Sequence, residues 1–342
     1  MSTLIPIVLV AALLSGLLTR RVLGYASRRE LLDVPNERSS HSVPKPRGGG
    51  LAIAAVFVVG TVSLALLGRL EGTGAFVLAA GGALVAAVGW IDDRTGVSAR
   101  VRFAVHVAAV ALVIAGTASL GALRMPGFPD LPWIQFTAAA FALVWLINLF
   151  NFMDGIDGLA GAEAVFVASG LVVCLVLDGQ GGAGAATCAA LLAGASLGFL
   201  AWNWPPAKIF MGDVGSGFLG FALGGVALLA HRETGLNLWV PTILLAVFVT
   251  DATLTLVRRI GRGERWYSAH RSHAYQWLSR QYGAHRPVTM AVVAVNLGWL
   301  LPLAILATRL PAYAGQLAAL AYMPLLPLAL WSGSGRPELS PR

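Results

Sequence analysis

Asp92-Asp93, Asn148, Asn151, Asp154, Asp157, Asn203 and Asp213 are carboxylates and amides set into a chain that is otherwise strongly apolar. Side chains of this type, with few imidazoles or thiols, suit a hard cation such as Mg²⁺, with Mn²⁺ as a substitute, better than zinc. Basic residues lie beside them: Lys45 and Arg47 upstream, and His270-Arg271-Ser272-His273 far downstream. Carboxylates, a divalent ion and basic groups together describe a phosphate or diphosphate site, where positive charge screens oxygens during in-line displacement. Gly48-Gly49-Gly50 is only superficially a phosphate loop, because no GxxxxGK[ST] follows, and it reads as the tight start of a helix. Each group has a plain reading when taken alone. An Asp pair can be a solvated cap, the asparagines can join packed helices, Asp157 can cap a helix, and the histidines can sit in a basic lipid-facing loop.

The elements that position these groups are membrane spans. The 342 residues are 57% hydrophobic and only 12% charged. A soluble domain carries about 25% charged residues, so lipid must solvate most of this surface. At about 20 residues per helix the chain divides into about eleven spans. They run near 3–24, 48–69, 74–91, 102–121, 132–151, 161–178, 183–202, 214–231, 238–257, 287–308 and 311–331. The expected fold is therefore all-α and polytopic. Residues 1–18 read as a retained first helix rather than a cleaved signal. Cys174 and Cys188 fall in apolar runs and read as small buried hydrophobes.

Of the 24 Lys and Arg residues, one side keeps only Arg69, Arg124, Arg232 and Arg309. The basic side, with loops 25–47, 92–101, 152–160, 203–213 and 258–286, is expected to be cytoplasmic, with the N-terminus outside and the C-terminus inside. The net charge of +8 is thereby a matter of topology, with no nucleic-acid partner expected. All the polar clusters follow odd-numbered spans, so a single cytoplasmic site is the economical reading. Residues 1–331 are expected to form one membrane domain and 332–342 a disordered tail. Small-residue faces would allow a homodimer without requiring one.

Taken together, Asn151–Gly158 (NFMDGIDG), Phe210–Gly217 (FMGDVGSG), the Asp92-Asp93 pair and the late His-x-x-His resemble the polyprenyl-phosphate N-acetylhexosamine-1-phosphate transferases. The resemblance runs from residue 35 to about 276. It implies transfer of a sugar-1-phosphate from a UDP-sugar to undecaprenyl phosphate, as the first step of a surface glycan. The expected setting is the bacterial inner membrane. The resemblance implies Asp213 and Asn151 as Mg²⁺ contacts, and Asp92 and Asp93 at the acceptor phosphate. Asp154 and Asp157 would line the nucleotide pocket, Asn203 would meet the diphosphate, and Asn148 would belong to the substrate pocket. His270, Arg271 and His273 would lie over sugar and diphosphate, with Lys45 and Arg47 on phosphate. The chain departs from the peptidoglycan branch in lacking three successive histidines, and no further carboxylate closely follows Asp93. The strings at 35–42 and 270–276 look closest to O-antigen and surface-polysaccharide initiators. A transporter or lipid flippase is the main rival, since Gly-rich bundles with buried polar groups also build transport paths. A CDP-alcohol phosphatidyltransferase lacks support because its spaced Asp signature is missing, and a purely structural subunit leaves the Asn and Asp motifs unexplained.

Overall fold

A computed structural model describes residues 3–33, 43–118, 123–125, 127–264 and 270–337. The chain is almost entirely helical. In order the helices are α1 Leu4–Arg28, α2 Gly50–Leu66, α3 Gly72–Thr95, α4 Ala99–Ala118, α5 Pro132–Met153, α6 Leu159–Leu177, α7 Gly184–Asn203 and α8 Asp213–Thr234. They continue as α9 Trp239–Leu244, α10 Ala246–Gly261, α11 Ala274–Tyr282, α12 Arg286–Val295, α13 Leu301–Arg309, α14 Ala314–Tyr322 and α15 Leu325–Trp331. A π-helical turn, Asn296–Leu300, joins α12 to α13. Two short strands, β1 Leu32–Asp33 and β2 Lys45–Pro46, pair antiparallel beside the bundle.

Among the described residues nine helices are long and apolar enough to cross a bilayer, α12–α13 and the segment Pro311–Trp331 counting as one each. Two expected spans differ. The span at 48–69 is a helix of 17 residues, and the one at 238–257 is broken at Leu245 into α9 and α10. The polytopic all-α fold read from the sequence is the fold observed.

Burial separates lipid-facing helices from central ones. α8 is enclosed over 94% of its apolar window, whereas α4 and α1 are mostly outward, at 17% and 22%. A helix surrounded by other helices needs small side chains for close approach, and α8 supplies Gly215, Gly217, Gly220, Gly224 and Gly225. α3 crosses α8 at Gly89, where a Cβ would stand 2.5 Å from the Asp213 carbonyl oxygen and 2.7 Å from Val214 Cα. Gly89→Ala therefore has only backbone to push against and is expected to destabilise the fold by about 1–3 kcal/mol. Gly24→Ala, with nothing within 4 Å, is expected to leave the melting temperature in detergent unchanged. Equal melting curves for both variants would show that the crossing yields freely.

The C-terminal segment differs from its sequence reading. Expected to be disordered from Ser332 onward, it folds back in its described part, 332–337. Ser334 is buried, its hydroxyl donates to Asp251 Oδ1 at 2.7 Å, and the Gly335 amide donates to the Ser272 carbonyl at 2.7 Å. Buried backbone needs partners, and this segment finds them on α10 and on the loop before α11.

Candidate active site

The close crossing at Gly89 sets the last turn of α3 against the first turn of α8. Asp93 uses the proximity fully. Its Oδ1 accepts the Asp213 amide at 3.0 Å and its Oδ2 the Val214 amide at 3.1 Å, so it caps α8 from a different helix. Gly212 is forced by the same fit: its φ is 78°, and a Cβ would lie 2.5 Å from Asp93 Oδ2. Arg47 closes the arrangement by donating through Nε (3.1 Å) and Nη2 to the Asp93 carbonyl oxygen. With both oxygens on amides and its side chain 4% exposed, Asp93 is placed to hold Asp213 in position.

The neighbouring carboxylates face the open end of the bundle. Asp213 Oδ1 accepts from Asn151 Nδ2 at 2.9 Å, and the same amide nitrogen lies 3.1 Å from Ser216 Oγ. Asp213 Oδ2 accepts from Arg102 Nη1 at 2.9 Å, and that nitrogen also donates to Asp92 Oδ2 at 2.5 Å. One guanidinium nitrogen thus bridges two carboxylates. Asp92 Oδ1 accepts the Val97 amide at 2.6 Å, which fixes the turn between α3 and α4. Asp154, at the C-terminal end of α5, lies within the same acidic field. Burial, with the like charges of Asp213, Asp93, Asp33 and Asp157, holds its carboxyl well above the ordinary range.

Asp157 forms a separate knot beneath this rim. Its Oδ2 accepts the Ala207 amide at 2.9 Å and Lys45 Nζ at 3.4 Å, while His285 Nδ1 lies 3.2 Å from Oδ1. Burial alone would raise its pKa, but His285, the Ala207 amide and Lys45 outweigh it and hold the carboxyl below the ordinary range. Asn203 is likewise engaged internally. Its Oδ1 accepts the Gly158 amide at 3.0 Å and its Nδ2 donates to the Ile209 carbonyl at 2.9 Å. These contacts fasten the 154–158 turn to the loop after α7, which β2 also supports, since the Phe210 amide donates to the Pro46 carbonyl at 2.8 Å. Asn148 donates to the Val144 carbonyl one turn back along α5, at 2.7 Å.

The late segment is hung on α10. Asp251 accepts the amides of Ala274 at 2.9 Å and Tyr275 at 3.3 Å, and Gln276 and His273 complete a capping box at the start of α11. His273 is buried and stacks on Tyr275 with centroids 5.6 Å apart, and on His270 at 4.9 Å. Tyr275 Oη donates to the Phe152 carbonyl at 2.9 Å, tying this segment to the Asn151 end of α5. The Arg271 carbonyl accepts from Arg280 Nη2 at 3.0 Å.

The structure thus brings Asp92, Asp93, Asn151, Asp154 and Asp213 together at one end of the bundle, with Lys45 and Arg47 beside them. His270 is linked to that end through His273, Tyr275 and Phe152. Asp157 and Asn203, expected in the substrate pocket, make buried contacts that shape the loops around it. Three contributors were not singled out from the sequence: Arg102, Ser216 and His285. None carried a signal of its own: Arg102 is one of two arginines, with Arg100, in the first turn of α4, and reads as an ordinary topological charge. The resemblance at 35–42 lies outside the described residues.

Known proteins match most of this chain. The family model for glycosyl transferase family 4 matches residues 75–231, which take in α3 through most of α8. The chain is 31% identical over 314 residues to the decaprenyl-phosphate N-acetylglucosaminephosphotransferase of Mycobacterium tuberculosis, covering 83% of this chain and 78% of that protein. It is 27% identical over 268 residues to a probable undecaprenyl-phosphate N-acetylglucosaminyl 1-phosphate transferase of Bacillus subtilis, covering 78% and 74%. A phospho-N-acetylmuramoyl-pentapeptide-transferase of Synechococcus is 35% identical over 192 residues, half of each chain.

Proposed function

The chain belongs to glycosyl transferase family 4, the polyprenyl-phosphate hexosamine-1-phosphate transferases, and from that premise we propose its reaction. It moves an N-acetylhexosamine-1-phosphate, or a deoxy or amino relative, from a UDP-sugar to undecaprenyl phosphate. The products are undecaprenyl-diphosphate-sugar and UMP, and the reaction initiates a cell-envelope glycan such as O-antigen at the cytoplasmic face of the inner membrane. The observation that carries the reading is the Arg102 bridge between Asp92 and Asp213, with Asn151 on the remaining Asp213 oxygen.

In the reaction an oxygen of the lipid phosphate attacks the donor's β-phosphorus. The bond from that phosphorus to the bridging oxygen breaks, and UMP leaves with the oxygen. Lipid phosphate has its second pKa at about 6, so it is already largely ionised and needs orientation more than a base. Asp92 and Arg102 supply that orientation, and Arg47 and Lys45 present further N–H donors to phosphate oxygens. His270 and Arg271 lie over the sugar side. The apolar cavity of about 410 Å³ beneath the late segment, lined by Met153, Val247, Tyr275 and Val292, receives the first isoprene units.

The residues fit a divalent cation. Every donor is an oxygen, the carboxylates of Asp92, Asp93 and Asp213 converge at this rim, and Asp213 with Asn151 Oδ1 would hold the ion. Among the described residues no cage of three or more His, Cys, Asp or Glu ligands is present. Mg²⁺ binds through one or two carboxylates and keeps waters and substrate phosphates as its other ligands, so Asp213 and Asn151 would be a sufficient protein share. Its contribution when bound is to neutralise charge building on the diphosphate.

Membranes carrying the enzyme, supplied with undecaprenyl phosphate, Mg²⁺ and a panel of UDP-sugars, are expected to form lipid-linked sugar from one donor. One phosphoanhydride replaces another, so labelled UMP should exchange into that donor in the presence of acceptor lipid. Product without such exchange would overturn this chemistry.

A further inference from the structure

Glu163 is a buried carboxyl within α6, 1% exposed, facing a fully buried Asn296 at the start of the π-helical turn. Asn296 Nδ2 donates to Glu163 Oε2 at 2.6 Å. Glu163 Oε1 and Asn296 Oδ1 are both buried and both without a hydrogen-bond partner. As a carboxylate, Glu163 can only accept, so two acceptor oxygens would be stranded in the protein interior at considerable cost. A single proton on Oε1 removes both problems, since Oε1–H can donate to Asn296 Oδ1 while Oε2 accepts from Nδ2.

The position of the pair gives it a task. Asn296 shares one face of its helix with His285 and Thr289, spaced by four and seven residues. His285 contacts Asp157, and Thr289 Oγ1 donates to the Asp157 carbonyl at 3.0 Å. The helix α12 is therefore fastened to the 154–158 turn at its start and to α6 at its end. The π turn shifts the register at the second fastening, and such turns recur where a helix side chain has been re-aimed for function.

We infer that Glu163 is held as a neutral carboxylic acid in a two-point acid–amide pair with Asn296, and that this pair positions the Asp154–Asp157 turn through α12. Glu163 is thereby a positioning residue. No ion pair to it exists among the described residues. The neighbouring helices α7 and α9 have no charged residue. Arg286 and Arg309 stand at the two ends of the α12–α13 span, and α8 carries its charged residues only in its first and last turns. The titratable neighbour Tyr322 directs its hydroxyl to the Thr242 carbonyl at 3.0 Å. Nothing cationic is therefore at hand to favour the ionised form.

The effect on donor binding rests on the place in the nucleotide pocket that the family resemblance implies for Asp154 and Asp157, whereas protonation itself can be tested without substrate. Gln carries an amide N–H where the acid has its O–H, so E163Q is expected to match wild type in melting temperature at about pH 5 and in transfer at neutral pH. As pH rises from about 5 to about 8, wild type should lose stability steadily, because the unfolded chain ionises this carboxyl above about pH 4.3 while the fold needs it protonated. Its melting temperature should then fall below that of E163Q by a widening margin. E163A is expected to raise the donor KM about tenfold with a smaller change in kcat, as displacement of a binding turn does. Parallel melting curves for wild type and E163Q across that pH range would overturn the inference, as would E163Q behaving like E163A at neutral pH. If E163A fails to fold, the E163Q melting series decides alone. Absence of transfer in wild type would count against the proposed reaction, and the melting curves would be unaffected by it.

Discussion

Asp213→Asn enzyme is expected to lose Mg²⁺-dependent transfer by about a thousandfold while folding normally. The fold should survive because Asp93 grips the main-chain amide of residue 213, not its side chain. An amide in place of the carboxylate can still accept one hydrogen bond from Asn151 or Arg102, so the rim should keep its shape. The change is the loss of one negative charge where a cation would sit. Purified variant in detergent should melt near wild type but show a much weaker response of both rate and melting temperature to added Mg²⁺. Wild-type-like turnover would rule out Asp213 as the centre of the metal site.

Arg102→Ala carries the second largest expectation, a fall in kcat/KM of about a hundredfold. A nitrogen that holds Asp92 at 2.5 Å and Asp213 at 2.9 Å keeps two like charges together before substrate arrives, and it can turn to a phosphate oxygen afterwards. Removing it leaves the carboxylates to repel one another. The variant should therefore be less stable in chelator and gain more from Mg²⁺ than wild type does. Arg102→Lys should recover only part of the rate, because an ammonium restores charge but not the planar fork that spans two oxygens. Full activity in the alanine variant, with an unaltered response to Mg²⁺, would reduce the bridge to a passive surface pair.

Much of this architecture was legible before any coordinates. Spans announce themselves because lipid leaves no alternative to long apolar helices, and Asn151 and Asp213 stood out because polar groups at span ends are few. The two aspartates after α3 could not be told apart. Adjacent residues on a helix point about 100° from one another, and only the crossing at Gly89 reveals that Asp93 turns to α8 while Asp92 turns to the rim. Asp157 and Asn203 have the right side chains for substrate contact, yet most of their partners (Lys45, Ala207 and His285 for Asp157, Gly158 for Asn203) lie tens of residues away, which spacing does not disclose. Arg102 was hidden by its plausibility as an ordinary topological charge. The ordered segment at 332–337 depends on Asp251, a residue with no local signature for that contact.

The attachment of α11 bears on how such an enzyme diversifies. Asp251 holds the segment by the main-chain amides of residues 274 and 275, groups every amino acid other than proline carries at those places. That part of the tether is indifferent to side-chain identity, while His273, Gln276 and Tyr275 add fastenings through their side chains. Lineages could rewrite the chemistry above the sugar, exchanging imidazole, guanidinium or amide, without dislodging the peptide that bears them, while the acidic rim below stayed untouched. Ligand choice and bond-breaking would then drift at separate tempos within one polypeptide.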